Sequence, residues 1–152
     1  MRPEPLGVFG GTFDPVHVGH LRLAEEAAET LQLERVAWIP AGRPPHRGAP
    51  ATAAAHRLAM VQRAIADNPR FVLDDAEVRA DAPSYSVLTL ARLRAAHGPE
   101  RPLVLLLGAD AWAGLAGWHR WQEIFELAHI AVASRPGLAP AQLAPQLERE
   151  LR

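Results

Sequence analysis

The sequence contains no cysteine among its 152 residues. That absence excludes disulfide bonds, thiolate nucleophiles and zinc sites built on cysteine. A dominant charge is also lacking, because 16 basic and 17 acidic residues leave a formal net charge of -1. A role that depends on general attraction to nucleic acid is therefore disfavoured, whereas a local phosphate site remains compatible with the composition.

Long apolar runs are missing as well, since no stretch approaches the ~20 apolar residues that a membrane-spanning helix needs. Residues 1–11 hold no long apolar segment after their basic residue and do not resemble a secretion signal. We therefore expect a cytoplasmic protein. Hydrophobic residues make up 49% and charged residues 22% of the chain. This balance is typical of a globular protein, and the length predicts one domain over residues 1–152.

Short apolar runs alternate with amphipathic stretches, a pattern typical of βα units around a parallel sheet. Strands are predicted at residues 6–9, 35–41, 70–78, 102–110 and 129–137. Helices are predicted at residues 18–31, with Leu31 on the apolar face, at 53–66, and within 82–98 behind a Pro-Ser cap. The sequence thus predicts a Rossmann-like, doubly wound α/β fold, in which a mainly parallel five-stranded sheet carries helices on both faces.

Candidate site segments follow the predicted strands, because ligands of such folds bind beyond the carboxyl ends of the strands, where strand order reverses. These segments are residues 10–20, 40–47, 108–110 and 134–135. In the first, GGTFDPVHVGH, two glycines allow a ligand close to the backbone, and the start of the following helix attracts an anion. His17 and His20 lie on one face of its first turn and can supply charge to a phosphoryl group.

The same segment lacks the residues of two other phosphate-binding motifs. It is neither a P-loop nor a dinucleotide fingerprint, because no Lys-Ser/Thr follows the glycines and G-x-G-x-x-G is absent. An isolated pair of histidines at this spacing more often caps a helix than performs chemistry. Its place directly after the first strand favours the phosphate site.

The stretch GGTFDPVHVGH resembles the signature of the HxGH nucleotidyltransferases, which attack the α-phosphate of a nucleoside triphosphate and expel pyrophosphate. Further stretches, in the same order, are similar to the nicotinate-nucleotide adenylyltransferase family: IPAGRPPHR, APSYSVLTL, LLGADAWAGLAGWHRW and SRPG. The resemblance covers residues 6–137. It implies transfer of AMP from ATP to nicotinate mononucleotide, giving deamido-NAD and pyrophosphate in NAD biosynthesis.

The resemblance also implies a role for each matching residue. His17 and His20 would be catalytic, binding the triphosphate and stabilising the transition state. The implied ATP-binding residues are Gly10, Gly11, Thr12, Phe13, His17, His20, Gly108, Asp110 and Arg135. The implied mononucleotide-binding residues are Ala41, His46, Arg47, Ser86, Val87, Trp118 and His119. Mg²⁺ would bridge triphosphate oxygens and be held mainly by the substrate.

Within the mononucleotide site, Ser86 and the Val87 amide would meet the nicotinate carboxylate, and Trp118 would stack on the pyridine ring. On the residues alone, Trp118 fits a core position as well as a stacking platform, and Asp110 fits a helix cap. Ala41 departs from relatives that often carry a polar side chain in this part of the loop.

The C-terminal part of the sequence departs from the family pattern, which continues into another strand and an S-S/T-x-x-R-type motif that grips the ATP phosphates. We therefore expect a C-terminally short nucleotidyltransferase domain, as a truncated form or a natural short variant, whose exposed apolar surface favours self-association. Two alternatives stand beside the first interpretation. One is an HxGH adenylyltransferase of the phosphopantetheine type, and the other is a nucleotide-binding protein with little or no turnover.

Overall fold

The computed structural model describes residues 4–45, 50–80 and 82–133. These residues build one five-stranded sheet from the strands β1 (Leu6–Gly11), β2 (Arg35–Pro40), β3 (Phe71–Leu73), β4 (Leu103–Gly108) and β5 (His129–Ala133). The strand order is β3-β2-β1-β4-β5, and every pair is parallel. The predicted doubly wound parallel sheet is confirmed, with the reversal of strand order between β1 and β4.

Six helices connect the strands within the described residues: α1 (Val18–Thr30), α2 (Ala54–Ile65), α3 (Ala76–Arg79), α4 (Ser86–His97), α5 (Ala109–Ala113) and α6 (Trp121–Leu127). A short 3-10 turn (Leu115–Gly117) separates α5 from α6. In this described part of the chain, every helix is too short or too polar to cross a membrane.

Two apolar layers cover the sheet, one on each face. β4 contributes side chains to both layers. Leu103, Leu105 and Leu107 point into the layer with α4 and α6, and Val104 and Leu106 point into the layer with α1 and α2. This alternation follows from the two-residue period of a strand. The strand predicted at residues 102–110 is therefore observed from Leu103 to Gly108, buried on both faces as in a central parallel strand.

The predicted third strand, residues 70–78, is wrong in its second half. The strand ends at Leu73, and α3 begins at Ala76. The reason is local, since the Asp74 carboxylate accepts a hydrogen bond from the Ala76 amide at 3.0 Å and turns the chain out of the sheet.

Two further expectations about helix ends are also corrected. Leu31 lies at the end of α1 with 41% of its surface exposed, because a left-handed Gln32 (φ 51°) turns the chain so that Leu33 packs into the core instead. The Pro-Ser cap of α4 does not form. Tyr85 occupies the cap position, and the Ser84 hydroxyl instead accepts hydrogen bonds from the amides of Gly42 and Arg43.

Candidate functional site

A crevice opens between β1 and β4 at the carboxyl end of the sheet. β1 pairs with β2 along its whole length, from Leu6 to Gly11, but with β4 only from Leu6 to Val8. The last residues of β1 therefore separate from β4 at the point where strand order reverses, the place where doubly wound folds bind ligands. Gly10 borders this crevice with little around it, since an added Cβ would meet only the Ile39 carbonyl, at 3.7 Å.

The turn after β1 is held by an aromatic ring. Phe13 adopts a left-handed backbone (φ 50°), uncommon for an aromatic residue, while its side chain is buried against Phe9. Gly11 allows the Phe13 ring to lie close to the backbone, because a Cβ at Gly11 would be only 3.2 Å from that ring. The Phe13 side chain is thus part of the core, and only its backbone is available to a ligand.

His17 and His20 form a reciprocal cap at the start of α1. The His17 Nδ1 accepts a hydrogen bond from the Gly19 amide at 3.1 Å, and the His20 Nδ1 accepts one from the His17 amide at 3.0 Å. The two rings stack with their centroids 3.8 Å apart. A neutral imidazole with an accepting Nδ1 carries its proton on Nε2, so both rings cap the helix and keep an Nε2–H donor for a ligand.

The charge expected of this histidine pair is absent at His20. Burial against Phe9 and Phe13, together with the neighbouring His17, lowers the pKa of His20 to about 4. The ring is therefore neutral at pH 7 in the ligand-free protein. The ring therefore offers an anion a hydrogen bond and no positive charge, and it has no need of a counter-ion within the protein.

The His20 imidazole is expected to titrate near pH 4 in the ligand-free protein, followed as its Hε1 resonance by NMR. Because the unfolded pKa is about 6.5, the folded protein takes up this proton at lower pH than the unfolded chain. The free energy of unfolding should therefore fall as the pH falls from about 6.5 to about 4. In His17→Asn the midpoint should rise, since the electrostatic effect of His17 that lowers the pKa of His20 is removed. A midpoint above pH 6 in the wild type would contradict this burial.

A second group of predicted residues gathers at the start of α4. Ser86 is its first residue, and the Val87 side chain is buried, which leaves the Val87 amide for a ligand. The Tyr85 ring stacks on the His119 ring with their centroids 4.3 Å apart, which brings the segment after the 3-10 turn to this helix end. Trp118 is half-buried against the same core layer, so part of its side chain packs in the core and part stays accessible.

The remaining predicted residues are placed differently. Gly108 caps α5 and has no atom within 4 Å of an added Cβ, while Asp110, in the first turn, is exposed and is not the cap. Ala41 is only 8% exposed, and its amide donates to the Gly11 carbonyl at 2.8 Å. The other three predicted residues, His46, Arg47 and Arg135, lie outside the described residues.

Sequence reasoning missed Arg57, the one charged residue among the described positions that is almost fully buried, at 1% exposure. Its guanidinium donates to backbone carbonyls of the segments around the site. A signal was present, since Arg57 lies four residues before Val61 and so on the apolar face of α2. An arginine on such a face needs acceptors inside the protein.

Metal-binding side chains are not grouped in the part of the chain that the structure describes. No three residues among its histidines, aspartates and glutamates come together as a set that could hold an ion. Hard cations such as Mg²⁺ prefer oxygen ligands and usually keep several waters. The donors at the crevice are imidazole N–H and backbone N–H groups, which suit phosphate oxygens.

Comparisons with known proteins agree on one group of relatives. A family model described as cytidylyltransferase-like matches residues 8–151. A protein of Dechloromonas aromatica (strain RCB), named "probable nicotinate-nucleotide adenylyltransferase", is 66% identical over 88% of this chain and 62% of its own length. A protein of the same name from Aeromonas hydrophila is 47% identical over 98% of this chain and 71% of its own length. The chain thus spans 62% and 71% of the length of these two curated relatives.

Solved structures share the fold. The nicotinic acid mononucleotide adenylyltransferase of Plasmodium falciparum complexed with NaAD matches with a TM-score of 0.72 and 14% identity, over 90% of this chain and 77% of that chain. The same protein complexed with APC matches with a TM-score of 0.69 and 15% identity over the same shares. At these identities the likeness concerns the architecture alone.

Proposed function

The chain belongs to the cytidylyltransferase-like family, and from this membership we propose that it transfers AMP from ATP to nicotinate mononucleotide. The observation that carries the proposal is the histidine pair that caps the start of α1, the helix that follows β1 at the end of the sheet where strand order reverses. The relatives named for this activity, at 66% and 47% identity, support the choice of substrates.

The histidine pair acts on the phosphates of ATP. A phosphate oxygen of the mononucleotide attacks the α-phosphorus, a new P–O bond forms, and the bond to the bridging oxygen breaks to release pyrophosphate. His17 and His20 donate hydrogen bonds from Nε2 to the oxygens on which negative charge develops, an electrostatic stabilisation that needs no covalent intermediate. The N-terminal end of α1, a 13-residue helix, adds its positive dipole end.

The nucleotide itself lies along the turn after β1. Gly10 and Gly11 admit it close to the strand, and the backbone of Thr12 and Phe13 lines its path. Gly108, at the end of β4, and Asp110, in the first turn of α5, form the opposite side of the site, where the carboxylate suits the ribose hydroxyls. Arg135 completes this set as a phosphate contact. Mg²⁺ enters with ATP as part of the substrate, bound to the triphosphate oxygens.

The mononucleotide lies at the start of α4. The Ser86 hydroxyl and the Val87 amide bind the nicotinate carboxylate, which the helix end favours because no side chain among the described residues caps it. Trp118 stacks on the pyridine ring, and His119 contacts it through the backbone. The remaining members of the set are Ala41, which closes the wall of the site, and His46 and Arg47, which bind the substrate phosphate.

Product formation with a panel of acceptors tests the proposal. The purified chain is incubated with ATP, Mg²⁺ and, in turn, nicotinate mononucleotide, nicotinamide mononucleotide and phosphopantetheine, and pyrophosphate and the adenylylated product are measured. Product with nicotinate mononucleotide is the expected result. Product only with phosphopantetheine would replace the proposed substrate, and ATP binding without product from any acceptor would make the chain a nucleotide-binding protein.

A further inference from the structure

We propose that Arg57 is a positioning residue that fixes the two substrate-binding segments against each other. The first segment is the β1–α1 turn (residues 12–17), which leads to the histidine pair, and the second is the start of the β2–α2 loop (residues 41–43). The inference rests on the proposed function for what these segments bind. The hydrogen bonds on which the inference is based do not depend on that assignment.

One nitrogen of Arg57 joins the two segments. Its Nη1 donates to the Thr12 carbonyl at 2.8 Å and to the Ala41 carbonyl at 2.6 Å. Nη2 reaches the Gly42 carbonyl at 3.4 Å, and Nε donates to the Thr52 carbonyl at 3.0 Å. The guanidinium therefore engages four backbone carbonyls, which lie in segments 5 to 45 residues away along the chain.

These bonds decide which way the neighbouring amides point. In a trans peptide the carbonyl and the next N–H point in opposite directions. With the Thr12 carbonyl held by Arg57, the Phe13 N–H is turned away from the guanidinium, as a donor for a ligand must be. With the Ala41 carbonyl held in the same way, the Gly42 N–H is turned to the Ser84 hydroxyl, where it donates at 3.0 Å.

The Asp14 carboxylate adds to this arrangement. The Asp14 carboxylate accepts from the amides of Ala51 and Thr52 at 2.9 and 3.4 Å, which is a second link between the β1–α1 turn and the approach to α2. Asp14 also favours the charged form of Arg57, against the burial that lowers its pKa. Four hydrogen bonds to backbone carbonyls, together with the negative charge of Asp14 nearby, thus let a charge lie inside the protein at this junction.

The geometry requires a guanidinium rather than any cation. Arginine presents five N–H donors in a planar fork, whereas lysine presents three donors on one nitrogen. Only the fork reaches Thr52 with Nε while Nη1 divides its two hydrogens between the two segments. Arg57→Lys should therefore keep the positive charge but no longer hold the two segments in their relative positions.

The test compares Arg57→Ala and Arg57→Lys with Arg63→Ala, which removes an exposed arginine from the same helix. We expect both Arg57 variants to raise the KM for both substrates roughly tenfold or more, because only the fraction of molecules with both segments in the binding arrangement can take up the substrates. The value of kcat should change less than the KM values. Arg63→Ala should match the wild type, and an Arg57→Lys variant that folds and keeps both KM values would overturn the proposal.

Added guanidinium ion separates positioning from a loss of stability. At low millimolar concentration it should restore part of the activity of Arg57→Ala by occupying the space of the missing guanidinium and donating to the same carbonyls. A merely destabilised variant would gain no activity, because the effect of guanidinium on unfolding is proportional to its concentration and is negligible at low millimolar levels. A folded Arg57→Ala variant whose activity does not rise with guanidinium would therefore overturn the proposal. If the alanine variant does not fold, the KM values of Arg57→Lys decide.

Amide hydrogen exchange provides a readout that needs no turnover. The amides of Gly42 and Arg43 should exchange faster in Arg57→Lys than in the wild type and in Arg63→Ala, since their segment loses its anchor. Unchanged exchange at these amides would overturn the positioning role. A wild type that makes no product from nicotinate mononucleotide, with faster exchange in Arg57→Lys, would refute the proposed function and leave the positioning role supported.

Discussion

His20→Asn is expected to lower kcat by roughly 10²–10³-fold, the effect of removing one donor to a developing oxyanion, with little change in stability. The Oδ1 of asparagine takes the place of Nδ1 and can still accept the hydrogen bond from the His17 amide that closes the helix cap. What the variant loses is the Nε2–H donor. Steady-state rates of pyrophosphate release and a urea unfolding curve measure the two effects separately.

Two further variants sharpen this test. His20→Gln carries an amide N–H close to the position of Nε2 and should keep more activity than His20→Asn. His97→Ala removes an exposed histidine in the last turn of α4 and should leave the rate unchanged. A folded His20→Asn variant with a near-native rate would remove His20 from the reaction.

Gly42→Ala is expected to lower the free energy of unfolding by about 1–3 kcal/mol, as overpacking in a rigid place does. An added Cβ would overlap the Glu77 carbonyl oxygen and lie 3.2 Å from the Val78 Cα. Both are backbone atoms and cannot swing aside as a flexible side chain can. Gly42 cannot retreat either, because Ser84 holds its N–H and the Arg57 guanidinium holds its carbonyl.

Gly117→Ala is the matched control, since an added Cβ there meets no atom within 4 Å. Its unfolding free energy should stay within about 0.5 kcal/mol of the wild type, as for most surface substitutions. The midpoints and slopes of urea unfolding curves measure both variants. An unchanged midpoint for Gly42→Ala would mean that α3 does not press against the β2–α2 loop as the structure has it.

Much of the fold follows from local patterns. The five strands, the order of βα units and the place of the histidines after β1 depend on short apolar runs and their breaks, and these are visible in the sequence. The family suggested by GGTFDPVHVGH is confirmed as well. The predicted strand over residues 70–78 failed where a single side chain, Asp74, turned the chain.

The electrostatics of the site could not be predicted in the same way, because they depend on residues far apart in sequence. His20 is neutral because Phe9 and Phe13 cover its ring, and only the folded turn brings these three rings together. Arg57 finds its acceptors up to 45 residues away. The pattern of α2 marks the arginine as unusual but does not indicate which carbonyls it will meet.

The reciprocal cap of the two histidines also determines how they respond to transition metals. An imidazole binds Zn²⁺ or Ni²⁺ through a bare nitrogen lone pair, and in both rings that lone pair, on Nδ1, is directed at a main-chain N–H. Moving the proton from Nε2 to Nδ1 would free the outer nitrogen only by setting two N–H groups against each other. Metal binding by this H-x-x-H pair therefore costs the helix cap, whereas hydrogen bonding to a phosphate through Nε2–H leaves the cap in place.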